Sequence, residues 1–494
     1  MSLINVRNLT FAYDGSAKVV FDNVSFQIDT DWKLGFVGRN GKGKTTFLNL
    51  LLGKYEYVGK ISSDVGFTYF PFEVDRQDRL VCEILWDICP DAEDWEIIRE
   101  FSYLQMSADN LYSPFDSLSG GEKTKTLLVG LFLKADNFLL IDEPTNHLDL
   151  QARESVAKYL KKKKGYILVS HDRAFLDSCV DHILSINKTD IEVSGGNFST
   201  WFDNFQRRQN FESAQNEKLK KEIDRLSESA ARNANWADKV EATKYGNGPV
   251  DRGFIGHKAA KMMKRAKSVE GRQRRAIEEK SGLLKNLESA DDLKIFPLEY
   301  PGAKILEFSG VEVCYGDRKI CKPVSFELMQ GDRLSLSGIN GCGKSSLLKI
   351  IVGEDISHTG AFKLSSGVKV SYLPQTSDGI SGKISEFAAD ADIDAKLFRT
   401  ILSKMGFEGK DFASEEDVST YSQGQKKKIM IARSLCQRAH LYVWDEPLNY
   451  LDVYARMQIE RLLVEFAPTM IFVEHDEAFV NGVATGRKYV DKLQ

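Results

Sequence analysis

Two glycine-rich loops, GRNGKGKTT at residues 38–46 and GINGCGKSS at residues 338–346, carry the residue types that hold phosphate. Gly38, Gly41 and Gly43, matched by Gly338, Gly341 and Gly343, let the backbone turn tightly and aim successive N–H groups at one anion. Asn40, Thr46, Asn340 and Ser346 complete the loops as candidate nucleotide contacts. Lys44 and Lys344 would neutralise β- and γ-phosphate oxygens, and the hydroxyls of Thr45 and Ser345 would face Mg2+. Further along, Asp142 and Asp445 each close an apolar run and would hold that metal through water. Glu143 and Glu446, the next residues, would polarise an attacking water. His171 and His475 each follow another apolar run and could contact the γ-phosphate. The chemistry these residues would perform is ATP hydrolysis, and the chain carries the set twice.

The spacing repeats along with the residues. From Lys44 to Ser119 is 75 residues and from Lys344 to Ser422 is 78; from Ser119 to Asp142 and from Ser422 to Asp445 is 23 in each case. A unit duplicated at this period implies two domains of like fold, where a lone motif would imply far less. Each loop follows a short apolar run and opens a helix, predicted over 47–52 and 347–352, the strand–loop–helix context a phosphate cradle requires. Ile4, Val6 and Leu9, and Ile305, Leu306 and Phe308, alternate as strands do.

A chain of 494 residues with 42% hydrophobic and 28% charged residues has room for two or three ordinary globular domains. No run of 18 apolar residues and no signal peptide appears, which implies no membrane partner and a cytoplasmic setting. Seven cysteines without metal-ligand spacing fit reduced thiols and argue against an iron–sulfur ATPase. The net charge of −4 conceals an asymmetry: residues 239–275 hold eleven Lys or Arg against three acidic residues, leaving the rest of the chain at −12. An acidic body with one concentrated basic segment points to a polyanionic partner.

That basic segment lies in a stretch of helical pattern. Residues 205–240 place Leu219, Ile223, Leu226 and Ala230 on one stripe, and 258–287 place Met262, Ala266, Val269, Ala276, Leu283 and Leu287 near heptad spacing. The Gly- and Pro-bearing segment 242–257 between them reads as a loop. Two such helices imply an antiparallel hairpin whose first arm, 36 positions long, would span roughly 54 Å. A plain spacer would account for the helices but not for basic charge gathered in the one stretch 239–275. Lys244, Tyr245, Val250 and Phe254 are the candidate tip contacts, since cations hold RNA phosphates and aromatics stack on bases. A single tip aromatic could equally pack between the helix ends. The boundaries so implied are 1–199, 200–303 with its tip at 242–257, and 304–494.

LSGGE at residues 118–122 and YSQGQ at 421–425, each followed by a DEP…LD run, resemble the ATP-binding-cassette ATPases. The resemblance implies an α/β fold, two tandem ABC-type P-loop nucleotide-binding domains joined by a long antiparallel α-helical hairpin, in one chain that needs no second subunit. It also implies that the signature loop of each cassette closes over the nucleotide held by the other. Ser422, Gln423, Gly424 and Gln425 would then face Lys44, and Ser119, Gly120, Gly121 and Glu122 would face Lys344. Tyr13 and Tyr315 match the residue that stacks on adenine in such proteins; a core tyrosine is the alternative. Gln375 matches a glutamine near Mg2+. The first copy departs from the pattern with Phe72 at that place, and the second with Gln423 where glycine is usual. Under head-to-tail closure both departures would fall in the Lys44 site, which would hydrolyse ATP more slowly.

Two cassettes around a basic helical linker, with no membrane segment, resemble the ABC-F family of ribosome-acting ATPases. KYGN at 244–247, the run from Gly253 to Arg265 and WDEPLNYLDV at 444–453 resemble its Lsa-type antibiotic-resistance branch. That likeness implies a partner in the ribosome, both large-subunit rRNA and P-site tRNA, reached through the tRNA exit site, no permease partner, and displacement of lincosamides, pleuromutilins or streptogramin A. A housekeeping translation factor of the same family is the other reading. A transporter ATPase would leave the basic linker unexplained, and a non-enzymatic RNA scaffold would leave two full glutamate–histidine sets without a purpose.

Overall fold

A computed structural model describes residues 2–15, 19–134, 137–145, 148–187, 190–242, 293–316, 318–377, 379–391, 393–407, 409–413 and 416–493. The expected second hairpin helix, the loop before it, and Lys244, Tyr245, Val250 and Phe254 lie outside the described residues. By its contacts the chain forms two compact units: Met1–Trp201 with Ala290–Gln494, and Phe202–Ser289.

In the first cassette the strands are β1 (Leu3–Ala12), β2 (Val19–Asp29), β3 (Lys33–Val37), β4 (Val58–Ser62), β5 (Gly66–Phe70), β6 (Asn137–Asp142), β7 (Tyr166–Val169), β8 (His182–Asn187) and β9 (Asp190–Gly195). Strand β1 pairs antiparallel with β2 and β4, forming a small outer sheet. The second sheet runs β5-β6-β7-β3-β8-β9, parallel except for its last strand. Its central strands are apolar on both faces, as a covered parallel sheet demands; all four residues of β7 are buried. Phe47, on the helix Lys44–Leu51, fills the space between the sheets against Phe21, Phe26 and Phe36. Burial of such a ring contributes about 2–3 kcal/mol.

The second cassette repeats the plan with β10 (Lys304–Tyr315), β11 (Arg318–Lys319), β12 (Val324–Met329), β13 (Arg333–Ser337), β14 (His358–Leu364), β15 (Val370–Leu373), β16 (Leu441–Asp445), β17 (Met470–Val473) and β18 (Gly486–Tyr489). Its parallel sheet runs β15-β16-β17-β13-β18, the same order strand for strand. In both cassettes the strand ending in the aspartate, the strand before the histidine and the strand before the P-loop are neighbours. Asp142 pairs with Val169, which pairs with Phe36; Asp445 pairs with Val473, which pairs with Leu336. The carboxyl ends of these three strands therefore lie side by side, the edge where open α/β sheets bind ligands.

Three expected boundaries move. The P-loop helices begin at Lys44 and Lys344, three residues ahead of their apolar runs, because Gly43 (φ 102°) and Gly343 (φ 95°) turn the chain directly into the helix. The long helix spans Phe198–Ala242, starting seven residues before the expected Phe205. Phe198 and Trp201 anchor it by packing on each other in the cassette unit, rings 5.5 Å apart. Leu219 and Ile223 are half-buried on its stripe. The second cassette takes in chain ahead of Lys304, since Leu293 and Ile295 join its core and the N–H of Leu298 donates to Ala439 O. No helix among the described residues is long and apolar enough to cross a membrane.

A buried ion pair holds the helical part of the first cassette. Glu100, 4% exposed, accepts hydrogen bonds from Tyr159 Oη at 2.7 Å and Lys163 Nζ at 2.5 Å. Burial would raise its carboxyl pKa, but Lys163 and Tyr159 outweigh that and hold it below the usual value. The ionised form is thus favoured in the folded state, so this stability is present above the ordinary carboxylate pKa of 4.5 and lost as pH falls through the lower folded value. Glu100→Gln is expected to destabilise the protein by about 2 kcal/mol at neutral pH, because it strands Lys163. Urea unfolding at neutral pH and again at about pH 3 should show that difference shrinking in acid.

Candidate nucleotide sites between the cassettes

Each P-loop lysine is buried and folded against its own loop. Lys44 Nζ donates to Gly38 O at 2.7 Å and to Asn40 Oδ1 at 3.3 Å; Lys344 Nζ donates to Gly338 O at 2.8 Å and Ile339 O at 3.0 Å. The loop glycines are required by space and by conformation. Gly41 and Gly341 have φ of 76° and 73°, and a Cβ on Gly338 would lie 2.4 Å from Val490 O. Thr45 Oγ1 donates to Asp142 Oδ2 at 3.2 Å, and the Ser345 hydroxyl bonds Asp445. Tyr69, a contact not anticipated from sequence, also donates to Asp142 Oδ2, at 3.0 Å.

The signature serines start helices. Ser119 caps Gly120–Leu133 and Ser422 caps Gln423–Cys436, each in a capping box: the serine Oγ accepts from the N–H of Glu122 or Gln425, whose side chain accepts the serine N–H in return. Glu122 and Gln425 thus satisfy helix ends, a role the S-x-x-E/Q spacing encodes but the motif reading passed over. The remaining N–H groups at these helix starts favour an anion.

The two cassettes complete each other's cavities. One, of about 460 Å³, is lined by Tyr13, Asn40, Gly41, Gly43, Lys44, Thr45, Thr46, Asp142, Glu143 and His171 with Ser422, Gly424 and Tyr450 from the opposite cassette. The other, of about 1120 Å³, is lined by Tyr315, Asn340, Gly341, Gly343, Lys344, Ser345, Ser346, Gln375, Glu446 and His475 with Ser119, Gly120, Gly121 and Glu122 opposite. At the narrower one the cassettes touch directly: Asn40 Nδ2 donates to Tyr450 O at 2.8 Å and Asn40 N to Asp452 Oδ2 at 3.2 Å. A Cβ on Gly424 would meet Tyr450 O of its own cassette at 2.7 Å and Asn40 Nδ2 of the opposite cassette at 3.2 Å, so this glycine has no room to change. Gly38 and Gly338 shape the loops from behind and Asp445 is almost fully covered. Tyr13 and Tyr315 are 43% and 55% exposed at the cavity rims, so neither is a core residue; their hydroxyls bond Thr46 and Ser346.

Gln423 does not lie where head-to-tail logic put it. Its side chain turns back into its own cassette, where Oε1 accepts from Ser377 Oγ at 2.7 Å, and it lines the Lys344 cavity. The reason is local: Gln423 is the first residue of its helix, and Ser377, beside the Gln375 loop, offers a donor within reach. Gln425 serves as the cap and does not line the Lys44 cavity.

The two glutamates sit in unlike surroundings, both at left-handed backbone (φ 50° and 46°), strain of the kind that collects at functional positions. Glu143 lies 3.3 Å from His171 Nε2. Although a quarter of its side chain still faces the cavity, desolvation and then the Asp142 charge push its pKa up to about 8, against Lys44. Burial likewise pushes the His171 pKa well down, helped by Lys44. Burial works against Glu446 too, but His475 (3.6 Å), the Gln375 amide and Asn449 Nδ2 (2.5 Å) hold its carboxyl down at about 2. Burial raises Asp142, and raises Asp445 to about 6 despite Ser345. Asp445 Oδ1 is buried without a hydrogen-bond partner among the described residues, and carboxylate, hydroxyl and amide oxygens are the donors a hard cation takes. The residues present thus fit Mg-ATP.

Two P-loop cassettes that finish one another's cavities make a tandem ABC-type ATPase. A family model described as "ABC transporter" matches residues 21–146 and again 321–449, over half of the chain, and the chain belongs to that family. It is 27% identical over 491 residues to the ATP-binding protein Uup of Caulobacter vibrioides, covering 96% of this chain and 75% of that one. It is 29% identical to the probable ATP-binding protein YheS of Escherichia coli (93% and 74% covered) and 26% identical to the ribosome protection protein VmlR of Bacillus subtilis (95% and 83%). A structure of an archaeal ribosome recycling factor, aABCE1, complexed with the stalk protein aP1 shares the fold (TM-score 0.63, 20% identity, 98% and 87% covered).

Proposed function

We propose that this ATPase works on the ribosome, binding it with ATP held between the cassettes and protecting it from drugs of the peptidyl transferase region. The observation that carries the reading is that each cavity takes its wall from both cassettes, so a bound γ-phosphate joins them and its loss lets them part. A ligand shifts such an equilibrium only through contacts it makes better in one state. Mg2+, held by Thr45 and Asp142 in one site and by Ser345, Gln375 and Asp445 in the other, would supply charge neutralisation at the β- and γ-phosphates. Lys44 and Lys344 orient the phosphates, the signature helix starts face them, and Glu446 accepts the proton of the attacking water while His475 stays beside it. The segment 239–275, with its net charge of +8, is the part suited to RNA. Similarity to the ribosome protection protein VmlR supports protection as the purpose. Lincosamides, pleuromutilins and streptogramin A are the drug classes that the resemblance of residues 244–247, 253–265 and 444–453 to the Lsa-type branch implies.

A housekeeping role in translation is the second reading, favoured by equal likeness to Uup and YheS, whose names state ATP binding alone. Drug susceptibility of a sensitive host expressing the gene separates the two. For ribosome action itself, Glu143→Gln combined with Glu446→Gln should trap the protein on ribosomes in ATP. Sedimentation should show retention with ATP and about tenfold less with ADP; equal pelleting with ATP, ADP or no nucleotide would end the proposal.

A further inference from the structure

The second cassette contains a fully buried lysine that none of the nucleotide motifs explains. Lys427, at 0% exposure, sits one turn into the helix capped by Ser422. Its Nζ donates to Pro374 O and Gln375 O, each at 3.0 Å, and to Asp445 O at 3.4 Å. A buried ammonium needs such partners, and here all three are backbone carbonyls of the two segments that carry Gln375 and Asp445. A second tie runs parallel to it, from Ser377 Oγ to Gln423 Oε1 on the first turn of the same helix. Gln375 in turn donates to Glu446.

The first cassette lacks both ties. Thr124 stands at the place of Lys427, and its hydroxyl is spent on Gly120 O in its own helix. Gly120, Val74 and Phe72 stand where the second cassette has Gln423, Ser377 and Gln375. A further exchange of the same sense puts Glu474 where the first cassette has Ser170. This buried carboxylate accepts the N–H of Leu448 and adds negative charge facing Lys427. Lys427, Gln423, Ser377, Gln375 and Glu474 are therefore all present in one cassette and all absent from the other.

We infer that Lys427 is a positioning residue for Gln375, and that with Gln423 it joins the signature helix start facing Lys44 to the Gln375–Glu446 side of the Lys344 site. A displacement of that helix start on closure over one nucleotide then moves the glutamine beside the other, whereas the first cassette has neither of these ties to carry the reverse signal. The inference rests on Gln375 and Glu446 acting in hydrolysis.

The test uses the full-length protein carrying Glu143→Gln, so that turnover reports the Lys344 site. Lys427→Met should lower kcat about tenfold while leaving KM for ATP within about twofold, and should add nothing once Gln375→Ala is present. Hydrogen exchange at residues 374–377 should rise in Lys427→Met without nucleotide. Should Lys427→Met not fold, Gln423→Gly with Ser377→Ala must show the same lack of additivity with Gln375→Ala. Losses that multiply with Gln375→Ala, or a change in KM alone, would overturn the inference. A Glu446→Gln protein that still turned over normally would instead remove the reading on which it rests.

Discussion

Glu446→Gln is expected to abolish most ATP turnover, lowering it about 100-fold, whereas Glu143→Gln should lower it only about twofold. The two glutamates share motif and backbone conformation, so the difference must come from their neighbours. Glu446 is held ionised by His475, Gln375 and Asn449 and so can take a proton. Glu143 has His171 nearby but Phe72 where Gln375 would stand, and burial beside Asp142 favours its protonated form. The Lys44 cavity is also the narrower, with Asn40 already bonded across to Tyr450. That geometry suits a site that holds ATP and seldom cleaves it. Single-turnover phosphate release from the two variants is the measurement. Loss of activity confined to the Glu143 variant would reverse the assignment of roles.

Much of this arrangement could be read before any coordinates. Loop, aspartate–glutamate pair and histidine recur in fixed order because each must reach one end of three adjacent strands, and that demand leaves a mark on sequence. What could not be read depends on where a side chain turns. Gln423 looked like damage to the Lys44 site, yet it bonds Ser377, 46 residues away in its own cassette. The exchange of Thr124 for Lys427 gives no signal in sequence, because lysine is common on exposed helix faces, yet this lysine is fully buried. Leu293 and Ile295 were missed because two apolar residues ahead of a proline have no periodicity to betray them. Their burial is set by the wall they meet. The strain at Glu143 and Glu446 leaves no signal in residue type at all.

These misses bear on how the cassettes differ. Sequence departures from a motif were read as losses, each weakening the site it belonged to. The structure turns one of them into a gain: the second cassette carries a wired glutamine loop, and the first carries a tight contact through Asn40. One site thus has the contacts for holding the cassettes together and the other the contacts for chemistry. On the proposed function, a protein that occupies the ribosome for a time and then leaves needs both properties. Placing them in separate sites lets each be set without disturbing the other.

Removing residues 244–257 should leave ATP turnover within about twofold of the intact protein, because no motif residue lies there. Protection should vanish altogether: a sensitive host expressing the shortened chain should be inhibited at the same lincosamide or pleuromutilin concentration as a host without the gene. The deletion takes away Lys244 and Arg252 together with Tyr245, Val250, Phe254 and Ile255, the apolar and basic groups suited to stacking on bases and holding phosphates. Shortening a connection could also act through length alone, so Lys244→Glu with Arg252→Glu, which keeps every residue of the segment, should be made beside it. If charge is what the segment supplies, the reversed pair weakens ribosome binding in a salt-dependent way and lowers protection in step. A shortened or reversed protein that still protected fully would show that residues 244–257 are not the part that meets RNA.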